Sequence, residues 1–326
     1  MPSRKKTILV TGSAGFIGAE LAIQLIKRGE FVIGVDNLNN YYSVKLKKDR
    51  IKILKNSKFK KYFKFKKLDI KKSKQLNNFC INNNIDIIIH MAAQAGIRYS
   101  LKNPRDYLEN NVGGLFNLME VARKNKIKKF IFASSSSIYG SNTKAPFKEN
   151  FDTSSPLQFY GATKKAGEVF LKTYNYLYNF PITCLRFFTA YGPWGRPDMA
   201  IFSFTKNIVS NKKINIFNKG KLTRDFTYID DIVDGIIKSL TKKNHGFKIY
   251  NLGNQKPIKL MYLIKLLEIN LKKKAKIVFS NYKKTEMIKT HSSNKKALKE
   301  LNYRPKIKIE KGLKKFTEWY LNYYGK

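Results

Sequence analysis

The chain has 326 residues, long enough for a large core and for two domains. Hydrophobic residues make up 43% and there are two cysteines, Cys80 and Cys184, which excludes a disordered chain and a disulfide scaffold and suits a reducing, cytoplasmic setting. Lysine and arginine total 65 against 22 acidic residues, a formal charge of +43, so an anionic partner has to be weighed.

The first segment, Met1 to Lys6, is basic but has no apolar core, so neither a secretory signal nor a membrane span is expected. An apolar run over residues 7–10 reads as a strand, followed by Gly12, Gly15 and Gly18, an amphipathic helix carrying Leu21, Leu25 and Ile26, and a second strand over 31–35 that ends on Asp36. Strand, glycine turn, helix, strand and acid is the pattern of a dinucleotide site. Gly12 allows the tight turn, Gly15 lets the backbone approach a pyrophosphate, and Gly18 lets the helix pack on the strand. The helix N-terminus offers unpaired N–H groups to the phosphates. The Asp36 carboxylate suits ribose hydroxyls and repels a 2′-phosphate, which favours NAD over NADP.

A polar loop over 37–43 leads into a basic helix ending near 57. Residues 67–70 read as a strand ending in Asp69, residues 73–83 as a helix, and residues 85–90 as a buried strand. A long amphipathic helix is expected over 104–125, then a strand over 129–133 running into four serines, Ser134 to Ser137. A second long helix covers 160–179 and a strand covers 182–187. The second half is less regular: a loop at 192–198, helices near 200–210, 232 onward, 258–272 and 310–323, and strands at 214–217 and 248–252. The Lys-rich stretch 270–300 reads as a solvated face. The fold class is therefore α/β, a Rossmann-type doubly wound parallel sheet with a smaller, interleaved C-terminal substrate domain. The expected division is 1–188 plus about 226–255 for the nucleotide domain, and about 189–225 with 256–326 for the substrate domain.

Tyr160 and Lys164 stand four apart, on one face of a helix. A tyrosine with an ordinary pKa of about 10 is a poor base at neutral pH, and moving it to about 7 needs roughly 4 kcal/mol of preference for the phenolate. Lys164 and the positive nicotinamide of oxidised NAD are the candidate sources of that preference. The serine run follows a parallel strand, where such sheets place their ligands, so one hydroxyl there can bridge Tyr160 and a sugar hydroxyl, while others cap or turn the chain.

Together with residues 36–42, 90–100, 186–199 and 224–231, these motifs resemble the extended short-chain dehydrogenase/reductases, specifically the nucleotide-sugar 4-epimerases and most closely the UDP-glucuronate 4-epimerases. The resemblance implies that Gly12, Gly15, Phe16, Ile17, Gly18, Asp36 and Asn37 bind NAD, that Asp69 and Ile70 sit at the adenine, that Ala92 and Ala93 line the cofactor cleft, and that Asn111 lies near it. It implies Tyr160 as base with Lys164 as its partner, both also touching the cofactor, and Ser135 as the bridging hydroxyl, with Ser136 the alternative if the register differs by one. Arg224 resembles the diphosphate arginine, Thr189 and Arg196 are candidate contacts for a uronate carboxylate, and Arg98 is placed near the sugar nucleotide. No metal is implied.

The implied reaction is transient oxidation at C4 of UDP-glucuronate, rotation of the 4-keto sugar and return of hydride to its other face, giving UDP-galacturonate. A 4-keto uronate is a β-keto acid, so the carboxylate has to be clamped out of alignment with the carbonyl. UDP-glucose 4-epimerase shares the constellation. Decarboxylases and dehydratases of nucleotide sugars typically carry an acid where this chain has Ser136 and Ser137. A non-enzymatic reading is a basic NAD-fold protein that binds nucleic acid or a partner. Against it, the positive charge comprises 55 lysines and ten arginines spread along the chain, beside abundant Asn, Ile, Phe and Tyr, as an A/T-rich coding bias would produce. The expected partners are thus a UDP-sugar and a second copy of the chain, with no specific nucleic acid and no membrane.

Overall fold

The computed structural model describes residues 6–141, 143–243, 245–280 and 287–325. Its strands are β1 Thr7–Thr11, β2 Phe31–Asp36, β3 Phe63–Lys67, β4 Ile87–His90, β5 Lys129–Ser135, β6 Ile182–Phe187, β7 Thr189–Tyr191, β8 Lys213–Phe217, β9 Thr223–Tyr228, β10 Phe247–Leu252, β11 Pro257–Lys259 and β12 Lys276–Ser280. The α-helices are α1 Phe16–Lys27, α2 Val44–Asn56, α3 Ser73–Asn82, α4 Ile97–Lys102, α5 Pro104–Tyr107, α6 Gly114–Lys124, α7 Phe159–Tyr178, α8 Ala200–Val209, α9 Ile229–Thr241, α10 Leu260–Leu271, α11 Lys295–Leu301 and α12 Ile309–Tyr324.

Seven strands form one parallel sheet in the order β10-β6-β5-β4-β1-β2-β3. Every residue of β1, β4 and β5 is buried, which explains why these strands read as unbroken apolar runs rather than alternations. Successive side chains serve opposite faces: Ile8 and Val10 join the core under α1 and α9, while Leu9 joins Leu115, Leu118 and Phe132 in a second core on the other side. The strand order reverses between β1 and β4, and the crevice at their C-terminal ends is where such a sheet opens to a ligand.

The remaining strands make a three-stranded sheet, β11-β9-β7, and a two-stranded one, β12-β8, beyond the C-terminal edge of the main sheet. Two expected elements differ. The strand expected at 67–70 lies earlier, because β3 pairs with β2 only from Phe63 to Lys67, leaving Asp69 in the following turn. The single helix expected at 104–125 is interrupted by a π-helical turn, Leu108–Gly113, which carries Asn111. Part of the stretch at 270–300 pairs as β12, and residues 281–286 lie outside the described chain.

Candidate active site

A cavity of about 860 Å³ runs from the glycine turn, past the serine run and Tyr160, to the loop at 192–198 and the small sheet. At its floor Gly12 adopts φ +71°, and a Cβ there would stand 2.7 Å from the Ala92 nitrogen, so the β1 and β4 ends approach as closely as backbones allow. A Cβ on Gly18 would overlap the Gly12 carbonyl. Gly15 is the N-cap of α1 and supplies no side-chain cap, so the first N–H groups of that helix stay available to an anion. Phe16 and Ile17 line the same wall.

Asp36 ends β2 in the cavity, accepting from the N–H groups of Ala14 at 3.2 Å and Leu38 at 2.8 Å. Burial pushes its carboxyl above the usual value, with the Leu38 bond and the charge of Lys47 pulling the other way. Asn37, Ile70, Ala92 and Ala93 also line the cavity. Two residues expected there stand behind its wall. Asp69 accepts from the Asn37 side-chain amide at 3.3 Å and so braces Asn37. Asn111 is 2% exposed and bonds to both backbone groups of Gln94, at 2.8 and 3.0 Å, and to the Thr163 hydroxyl at 3.0 Å. It ties the loop after β4 to α7, one residue from Lys164. Gln94 lines the cavity, and its Nε2 is buried without a partner among the described residues.

The four serines divide by role. Ser134 donates to Glu168 Oε1 at 2.6 Å, and Glu168 is held by Arg186 through two bonds of 2.9 and 2.8 Å, a fully buried pair beneath the site. Ser135 accepts from the Ser137 N–H at 3.1 Å and hydrogen-bonds Tyr160. Ser136 and Ser137 line the cavity within a short 3-10 turn.

Lys164 is 2% exposed and donates to the Ala133 carbonyl at 2.7 Å. Burial pushes its ammonium down to about 7. Burial also holds the Tyr160 phenol above its usual value, opposed by the charge of Arg196 and the bond to Ser135. Lys164 Nζ lies 6.0 Å from the centre of the Tyr160 ring.

Arg196 binds Asp198 through both Nε (3.0 Å) and Nη2 (2.5 Å). Thr189 opens β7 on the same wall. Arg224, at the start of β9, faces the cavity and donates to the Thr223 and Ile288 carbonyls. Arg98 lies 4.4 Å over the Phe217 ring. The sequence reading assigned no role to Tyr41, Asp198 or Arg50. Tyr41 donates to Asp198 at 3.1 Å. Arg50, 2% exposed in α2, donates to the carbonyls of Ala14, Trp194 and Gly195 and to the Tyr42 hydroxyl. An arginine inside a lysine-rich helix was the available signal for it.

The glycine cradle and the Asp36 carboxylate fit a dinucleotide, and the second half of the cavity carries three arginines, Arg98, Arg196 and Arg224, for an anionic sugar nucleotide. The NAD dependent epimerase/dehydratase family matches residues 8–253, and the chain belongs to that family. It is 44% identical to UDP-glucuronate 4-epimerase 1 of Arabidopsis thaliana, over 98% of this chain and 77% of that protein. It is 42% identical to Protein CapI of Staphylococcus aureus, over 98% and 99%. Among solved structures, the UDP-glucuronic acid 4-epimerase of Bacillus cereus in complex with UDP-glucuronic acid and NAD superposes with a TM-score of 0.91 at 34% identity, covering 98% of this chain and 100% of that one. The relatives and the site together make the chain an isomerase of the epimerase kind that uses NAD.

Proposed function

We propose that the chain interconverts UDP-glucuronate and UDP-galacturonate by NAD-dependent epimerisation at C4. The observation that carries this is the convergence of Tyr160, Ser135 and Arg196 in one cavity with the glycine turn. Tyr160 takes the proton from the C4 hydroxyl, with Ser135 hydrogen-bonded to both. Gly12, Gly15, Gly18 and Asp36 would hold NAD, which would supply the hydride acceptor and a positive charge favouring the Tyr160 phenolate. Lys164, anchored on Ala133, holds the cofactor's sugar and adds charge beneath Tyr160. Arg224 and Arg98 bind the diphosphate half, and Arg196 with Thr189 orients the uronate carboxylate so that the 4-keto sugar keeps its CO₂. Residues 189–225 and 256–326 form the substrate-binding part.

Exposed Phe116 on α6 and Val169, Phe170, Tyr176 and Leu177 on α7 support a homodimer formed through these helices. Buried, unpaired Cys80 and Cys184 support a cytoplasmic setting, and among the described residues no helix is long and apolar enough to cross a membrane. The product fits synthesis of surface polysaccharide, and the envelope composition of a deletion strain tests that role.

A second reading, epimerisation of UDP-glucose, is favoured by one observation: Arg196 already has a carboxylate partner in Asp198. A proton NMR time course with UDP-glucuronate, and UDP-glucose in parallel, separates the two. Growth of UDP-galacturonate with UDP-glucose untouched supports the uronate reading. Conversion of UDP-glucose alone replaces it.

A further inference from the structure

The uronate clamp contains a carboxylate of its own. Asp198 takes the Nε–Nη2 edge of Arg196 with both oxygens, at 3.0 and 2.5 Å. Its Oδ2 also accepts the Tyr41 hydroxyl at 3.1 Å. Tyr41 stands in the loop after β2, the loop that begins with cofactor-wall residue Asn37. The packing around this trio is tight. Gly96 adopts φ +109°, and a Cβ there would strike the Tyr41 hydroxyl and stand 3.4 Å from Asp198 Oδ2. Arg196 and Asp198 are both partly exposed to the cavity, at 21% and 28%.

A guanidinium has five N–H donors in a rigid plane. Asp198 uses two of them, both on one edge, and the Tyr41 hydroxyl also hydrogen-bonds the guanidinium, while the Nη1 side is not engaged by Asp198. We infer that Asp198 is a positioning and specificity-determining residue: it fixes the plane of Arg196 and leaves the Nη1 side for the substrate carboxylate. The inference rests on the uronate reading above. Two consequences follow from the charges. Arg196 paired to Asp198 has no net charge, so a uronate meets a clamp that attracts it weakly, and the two carboxylates repel. The gain is orientation. A guanidinium fixed at one edge holds a second carboxylate at a defined angle, and that angle decides whether the 4-keto uronate survives. In the side reaction the bond from C5 to the carboxylate breaks, its electron pair passes into the C4 carbonyl to give an enolate, CO₂ leaves, and C5 takes up a proton.

The test uses Asp198→Asn in the full chain, with Tyr41→Phe as the milder variant that removes one hydroxyl from Asp198. Product ratios are read by proton NMR with UDP-glucuronate. Binding of UDP-glucuronate and UDP-glucose is measured by calorimetry in a Tyr160→Phe background, where turnover does not interfere. The expected result is a rise of about tenfold in decarboxylated product, UDP-4-keto-pentose and the UDP-pentose formed when hydride is returned to its C4, relative to UDP-galacturonate, together with a rise of about threefold in affinity for UDP-glucuronate and none for UDP-glucose. Tyr41→Phe is expected to shift both in the same direction by less. An unchanged product ratio, or an affinity change shared by both sugars, overturns the assignment and leaves Asp198 as a tether of the 192–198 loop. If the wild-type protein does not turn over UDP-glucuronate at all, the reaction reading fails, and the binding arm still decides the role of Asp198.

Discussion

Tyr160 meets its reaction with its phenol raised, not lowered, by the folded protein. On the proposed mechanism, the charge of bound NAD would complete the base, and the hydroxyl would carry the proton transfer. Tyr160→Phe is expected to lower kcat by about 10³-fold or more while leaving UDP-sugar affinity within about threefold. A stopped assay combined with calorimetry checks it, and substantial residual epimerisation would remove Tyr160 from its role. Arg196 belongs to the same scale. Replacing it with alanine deletes charge-assisted bonds worth about 1.5–3 kcal/mol each, so affinity for UDP-glucuronate is expected to fall about tenfold to a hundredfold and affinity for UDP-glucose to change little. Equal losses for both sugars would make Arg196 a structural residue of its loop. Lys164 gives a pH signature. In the folded chain burial pushes its ammonium down to about 7, against about 10.4 in the unfolded chain. Between those values the unfolded state binds more protons, so Lys164 makes stability increase as pH rises through that window, by at most about 1.4 kcal/mol per pH unit. Lys129, pushed down to about 8 by burial, acts with the same sign. Urea titrations of ligand-free protein at pH 7, 8 and 9 are expected to show a shallower rise in Lys164→Met than in wild type. An identical slope would place the Lys164 ammonium in an ordinary environment.

Between elements, the link that matters most is one no local pattern announces. Arg50 reaches from α2 to the glycine turn at Ala14 and to the loop at Trp194 and Gly195, so one buried side chain ties the two ends of the cavity together. Arg50→Met leaves those carbonyls without their donor and is expected to destabilise the fold by about 2–4 kcal/mol. It is also expected to weaken NAD binding and UDP-glucuronate binding together, whereas Arg196→Ala affects only the uronate. Denaturation and two calorimetric titrations check this, and loss of stability with both affinities intact would reduce Arg50 to packing. The β1–α1–β2 unit was legible because glycine spacing and a 3.6-residue period act over short distances. The π turn at Leu108–Gly113 was not, because one extra residue in a helical turn barely changes an apolar period. The strand placed at 67–70 lies earlier for a similar reason: where an edge strand stops depends on its neighbour's length, and β2 ends at Asp36 opposite Lys67.

For the molecule as a whole, the apolar surface on α6 and α7 is the feature left unexplained by a monomer. Tyr176 is 87% exposed, Leu177 58% and Phe116 51%, on α6 and on α7, the helix that carries Tyr160. Light scattering is expected to give a mass twice the 37.8 kDa of the chain, and the pair Tyr176→Asp with Leu177→Asp is expected to return it to one chain with NAD binding retained. A monomeric wild type would exclude the dimer. What the sequence by itself determined was the α/β class, the glycine turn with Asp36, and the Tyr160–Lys164 pair. Each is written in short-range periodicity or in residues a few positions apart. The tertiary structure alone decided that Asn111 and Asp69 stand behind the cavity wall, that Ser134 is committed to Glu168 while Ser135 faces Tyr160, and that Arg196 is already paired with Asp198 and braced by Tyr41 from a loop 157 residues away. These depend on which side chains meet once distant segments pack, and hydrogen-bond partners chosen at that distance leave no local pattern in the chain.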